Sequence, residues 1–194
     1  MEQITLTEEQ QRSNKAKKTM LYLAMASFTM MFAGLTSAYV VSESRPDWLR
    51  DFTLPSAFTI STVIILLSSV SFHLALKAIK NNERSKTTSL LLVTLALGIA
   101  FIVCQFVGFG QIIDQGYYFT GSESTITTSF LYVVVIVHIG HLIGGLIALL
   151  TVIYNHFKQK YFKGQTFGIE LATIFWHFLD FLWLYLFLFF TFYK

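Results

Sequence analysis

The chain has 194 residues, of which 54% are hydrophobic and 13% charged, with a formal net charge of +3. That balance is too apolar for an ordinary soluble domain and makes a membrane protein the first reading. The single cysteine, Cys104, excludes an intrachain disulfide and argues against a thiolate metal site, and basic residues sorted by loop rather than gathered in a patch argue against nucleic acid as a partner.

Residues 1–18 are polar and read as a cytoplasmic tail, with Thr5 or Thr7 spaced from Glu8 or Gln10 to cap a short surface helix. Five apolar runs follow, at about 19–41, 54–76, 89–113, 129–154 and 170–193, each long enough to cross a hydrocarbon core of roughly 30 Å. They are continuously apolar, without the short alternating segments of a barrel. The expected fold is therefore an all-α integral membrane protein, a bundle of five transmembrane helices forming one membrane domain over residues 19–194. The first run is too long for a signal-peptide core and is read as retained.

In the first run, Ala33, Gly34, Ser37 and Ala38 put small residues on adjoining stripes, either a docking surface or a packing face within the bundle. The turn after it is charged and solvated, and Pro55 opens the second run, where its missing N–H costs nothing. His73, beside Lys77, reads as an interfacial residue. The third run carries Gln105 as an interhelical hydrogen-bonding group, with Gly98, Gly108 and Gly110 around it, and it ends in an aromatic belt at Tyr117, Tyr118 and Phe119. Residues 120–128 form a polar outer loop.

The fourth run places His138, His141 and Gly145 on one face, with Gly140 and Gly144 as a small-residue pair on the next. The fifth carries Glu170, His177 and Asp180 among aromatic and aliphatic side chains. A carboxyl group near mid-bilayer costs roughly 2.5 to 3.5 kcal/mol, so Asp180 is expected to face protein, with His177 at i, i+3 as its partner. Arg12, Lys15, Lys17 and Lys18 precede the first run; Lys77, Lys80, Arg84 and Lys86 lie between the second and third; Lys158, Lys160 and Lys163 lie between the fourth and fifth. The opposite side has Arg45, Arg50 and Lys194, which puts the N-terminus in the cytoplasm and the C-terminus outside.

Three readings of the intramembrane residues remain open. They are a metal or haem site built from His138, His141, His177 and Asp180, a proton path, and a satisfied interhelical network of His138, His141, Glu170, His177, Asp180 and Gln105. A conductor needs polar residues at several depths along one line, and helices one and two carry almost none, so the proton path ranks below the network, which is favoured. No catalytic, cofactor-binding or metal-ligating residue is then expected in this chain. The helix-packing set is Ala33, Gly34, Ser37, Ala38, Gly140, Gly144, Gly145, Trp176 and Trp183.

The residues Phe167, Gly168, Glu170, Trp176, His177, Phe178, Asp180, Trp183 and Leu184 form a pattern that resembles the C-terminal helix of subunit III of the haem-copper oxidases. His138, His141 and Gly144, Gln105, and Phe32, Ala33, Gly34, Ala38 and Tyr39 extend the resemblance over nearly the whole chain. It looks like the five-helix bacterial form, which lacks the first two of the family's seven helices. Phe28 stands where the family often has a buried glutamate, and Gly108 where it often has an acidic residue, so roles attributed to that glutamate do not carry over.

The resemblance implies an accessory subunit in the bacterial cytoplasmic membrane that binds oxidase subunit I directly, assembles with subunit II, and holds lipids. Haem and copper would lie in the partner subunits and none in this chain; bound phospholipid is a family feature, and the two absent helices remove one wall of the cleft that holds it. The alternatives are the equivalent subunit of a quinol oxidase or nitric oxide reductase complex and, more distantly, an independent haem- or metal-binding membrane protein.

Overall fold

The computed structural model describes residues 8–49, 52–121, 124–161 and 165–193. The expected caps Thr5 and Thr7, with Arg50, Lys163 and Lys194, lie outside the described residues. Among the described residues five α-helices carry the fold: α1 Glu8–Val41, α2 Ser56–Lys80, α3 Arg84–Asp114, α4 Ile126–Phe157 and α5 Phe167–Phe192, with a 3-10 turn at Ser42–Ser44. All five are long and apolar enough to cross a membrane, a medium in which a helix satisfies its own backbone.

The helices outrun the apolar stretches that announce them. α1 begins at Glu8, so the described part of the expected tail is helical, with Glu8 and Arg12 paired at 3.8 Å one turn apart. α2 continues through Lys77 to Lys80, where cations suit the negative end of the helix dipole. The chain then reverses over 81–83. The Asn81 N–H donates to the Lys77 carbonyl and Asn82 takes φ 62°, a left-handed setting that asparagine tolerates. Thr125 caps α4 by accepting the Thr128 N–H at 3.4 Å.

α5 packs against α1, α2 and α4, while α3 packs on α2 and α4. The core between them is aromatic: Trp176, Trp183, Phe32, Phe58, Phe72 and Phe101 are fully buried. Glycines admit this bulk. A Cβ at Gly98 would stand 2.9 Å from the Trp176 ring, one at Gly108 2.7 Å from Phe58, and one at Gly145 2.7 Å from Leu179.

The expected helix-packing set therefore divides. Gly145, Trp176 and Trp183 line the core, but Ala33, Gly34, Ser37, Ala38, Gly140 and Gly144 are exposed, and Gly34, Gly140 and Gly144 have nothing within 4 Å of an added Cβ. Packing of these small residues within the bundle is thus corrected. α1 attaches through Phe32, Thr36 and Tyr39, and in a helix that face lies opposite the one carrying Gly34 and Ser37.

Candidate functional site

The polar groups inside the spans concentrate on the seam between α2 and α5, which run antiparallel. Trp176 and Trp183 are two turns apart on α5, as are Ser61 and Ser68, and Thr62 and Ser69, on α2, so each set shares a face. The Trp183 indole N–H donates to Thr62 Oγ1 and that of Trp176 to Ser68 Oγ, both at 3.0 Å. From α3, Gln105 Nε2 donates to Ser61 Oγ at 3.0 Å. Each hydroxyl passes its own proton to a backbone carbonyl of the preceding turn: Thr62 and Ser61 to Phe58, Ser68 to Ile65. One donor and one acceptor are used at every rung, which is what a hydroxyl offers in a medium without water.

At the end of the seam nearest the α2–α3 turn, Lys80 Nζ meets Glu170 Oε1 at 2.8 Å, and the Thr166 hydroxyl donates to the same oxygen at 2.9 Å. Deeper along it, Ser69 Oγ is hydrogen-bonded to His177 Nδ1. The exposed His73 ring lies beside His177, centroids 5.9 Å apart.

This geometry alters the expected network. His177 bonds Ser69 and not Asp180. Asp180 is 2% exposed, and neither carboxylate oxygen has a hydrogen-bond partner. The Ser69 hydroxyl is near enough to act on that carboxyl, and it shares a hydrogen bond with the His177 imidazole. The two histidines of α4 join neither group. His138 is fully buried among Trp183, Phe101 and Phe32, at centroid distances of 5.2, 6.1 and 6.2 Å, with both ring nitrogens unpaired. His141 Nδ1 donates to the Val137 carbonyl of its own helix at 2.7 Å and packs against Phe28.

The expectation of one network joining helices four and five is therefore corrected. Leu179 points to Gly145 of α4, and His177, two positions earlier, leaves α5 on the other side, toward α2. The four groups proposed as metal ligands do not converge, and among the described residues no three His, Cys, Asp or Glu side chains are grouped to hold a metal ion.

Ser61, Thr62, Ser68 and Ser69 are hydrogen-bonding partners that sequence reasoning passed over. Their signal was the seven-residue repeat of two hydroxyl dipeptides on α2, matched by the seven-residue spacing of the tryptophans. Gln105 is fully buried, with its Oε1 unpaired beside the donated N–H.

A profile of the family described as cytochrome c oxidase subunit III matches residues 10–194. The chain is 28% identical over 174 residues to the cytochrome c oxidase subunit 3 of Synechocystis sp., covering 86% of this chain and 71% of that protein. It is 26% identical to the cytochrome c oxidase subunit 3 of Bacillus sp. strain PS3, covering 86% and 80%. Against the cytochrome bo(3) ubiquinol oxidase subunit 3 of Buchnera aphidicola the identity is 27%, covering 84% and 80%. With a match that runs from the first described turns of α1 through the end of α5, this chain belongs to the cytochrome c oxidase subunit III family.

Proposed function

We propose that the chain is a non-catalytic subunit of a proton-pumping terminal oxidase that reduces oxygen with electrons from cytochrome c, and that it stabilises the catalytic subunit I. The observation that carries this reading is the hydroxyl–indole ladder, in which Ser61, Thr62, Ser68, Gln105, Trp176 and Trp183 fix α2, α3 and α5 against one another. In this reading haem and copper reside in partner subunits, and electrons bypass the chain. The membrane is the bacterial cytoplasmic membrane, with the N-terminus and the Lys-rich turns on the cytoplasmic side.

Bound phospholipid belongs to the same proposal. A cleft lined by Leu21, Leu171 and Phe175 between α1, α4 and α5 lies below a polar mouth that includes Lys17 and Lys160, an arrangement suited to an acyl chain and an anionic headgroup. A quinol oxidase subunit is the second reading, supported by the ubiquinol oxidase relative. Purification of the tagged chain from native membranes in mild detergent, with reduced-minus-oxidised spectra before and after it is stripped away, tests the proposal. Haem and oxygen uptake should stay with the larger partners and inactivate faster without this chain. Haem that follows the stripped chain would overturn the reading.

A further inference from the structure

The outward side of the α2–α5 seam is mostly apolar. Along α2 the exposed large hydrophobic residues are Ile60, Val63, Leu66, Leu67, Val70 and Leu74, with Ser56 and Thr59 exposed near its start, and along α5 they are Phe181, Tyr185, Leu188 and Phe192. Between them a groove of about 270 Å³ is lined by Ser69, Val70, His73, Leu74 and His177. His73, read from the sequence as interfacial, lies about 10 Å along α2 from its end at Lys80, and His177 lies about 15 Å along α5 from its start at Phe167, so His177 is the deeper of the two.

His73 is exposed and has no hydrogen-bond partner among the described residues. His177 uses one ring nitrogen on Ser69 and has the other to offer. Facing lipid, the His73 ring and the second nitrogen of His177 would have no partner. Lys77, one turn from His73 and also exposed, adds a cation to the same face, while the carboxyl group of Asp180 is buried behind it. The exposed polar groups beside the groove are thus imidazole and ammonium nitrogens, and the exposed acid Glu83, which shares a neighbouring groove with Leu74 and Lys77, is already paired with Lys86 at 2.7 Å.

We infer that this groove docks a transmembrane helix of the oxidase's catalytic subunit that presents an acidic side chain to His73 and His177. The inference rests on the oxidase reading. It adds which face of the bundle meets the partner and by what chemistry. Apolar contact along Val63, Val70 and Leu74 gives little preference over lipid, because tails are as apolar as leucine. One polar contact inside such a face sets position and partner. The carboxylate accepts from the imidazoles, and Lys77 lies one turn nearer the helix end.

The test is photo-crosslinking in native membranes, with a benzophenone side chain placed at Val70 or Leu74 and, as controls, at Ile147 on α4 and Val103 on α3. Adducts with the haem-bearing subunit from positions 70 and 74, and none from 147 or 103, are the expected result. A complex that purifies intact while 70 and 74 yield no polypeptide adduct would overturn the docking face and leave the oxidase reading standing. A tagged chain that brings no haem protein with it would sink both.

As a second measure, His73→Leu, a change on the bundle's exterior, should lower the haem retained per chain after a detergent wash by about three- to tenfold. His73→Gln, which keeps an N–H donor, should restore part of it. Equal retention in wild type and His73→Leu would count against the proposal.

Discussion

The indole N–H of Trp176 donates to the hydroxyl of Ser68 at 3.0 Å while the far edge of the same ring covers Gly98, so one side chain of α5 fixes its distance to both α2 and α3. Trp183 repeats the hydrogen bond two turns on, with Thr62. Removing the indole donor also removes part of a buried ring, so the coupling with the hydroxyl partner isolates the polar contribution. Trp176→Phe and Trp183→Phe should each lower stability by about 1 to 3 kcal/mol. Combining Trp176→Phe with Ser68→Ala should cost less than the sum of the two single changes. Unfolding of the purified chain in mixed micelles measures it.

The glycines sort by what lies over them. Gly108→Ala drives a methyl into the Phe58 ring and Gly98→Ala into Trp176, overpacking that costs about 1 to 3 kcal/mol. Gly140→Ala and Gly144→Ala meet nothing within 4 Å and should stay within about 0.5 kcal/mol of wild type. The same unfolding assay separates the two groups.

Asp180 carries a buried carboxyl with no hydrogen bond. Asp180→Asn and His177→Ala should loosen association with the catalytic subunit without removing any haem band from the complex. In the isolated chain, Asp180→Leu should raise stability by about 1 to 3 kcal/mol, because an unpaired polar group is withdrawn from a closed interior. A haem band lost from an intact complex, or a destabilised Asp180→Leu chain, would contradict this assignment.

Where α5 ends, the Tyr193 hydroxyl donates to Glu43 Oε2 at 2.7 Å and ties that end to the turn after α1. That hydrogen bond holds the Tyr193 phenol above its ordinary range, with burial and the Glu43 charge adding to it. A raised value means that the contact is fully present below the ordinary tyrosine range near 10 and is lost as pH rises through the folded value. Wild type should therefore lose helix-end protection in hydrogen exchange above about pH 10, and Tyr193→Phe should show no such step.

Much of the architecture was legible in the residues. Five continuous apolar runs had to be helices of about the observed length, since a hydrocarbon core demands roughly 20 residues at 1.5 Å each. The polar extensions of α1 and α2 were less so, because helices continue into water where pattern weakens, as the Glu8–Arg12 pair illustrates. Asp180 was legible as a group that must turn inward, and it is buried. Its companion was misread, since His177 faces Ser69.

What the sequence determined by itself is therefore the medium, the number of spans and the face on which each side chain stands within its own helix. Those follow from hydrophobicity, bilayer thickness and the 3.6-residue period. Which helix that face meets was decided only by the tertiary structure. In lipid no solvent pushes one apolar face inward over another, so the rotation of each helix is set by fit: Gly145 under Leu179, Gly98 under Trp176, and hydroxyls of α2 under the indoles of α5. That fit turned His138 into an aromatic box, sent His177 to α2, and left the small-residue stripe of α1 facing outward.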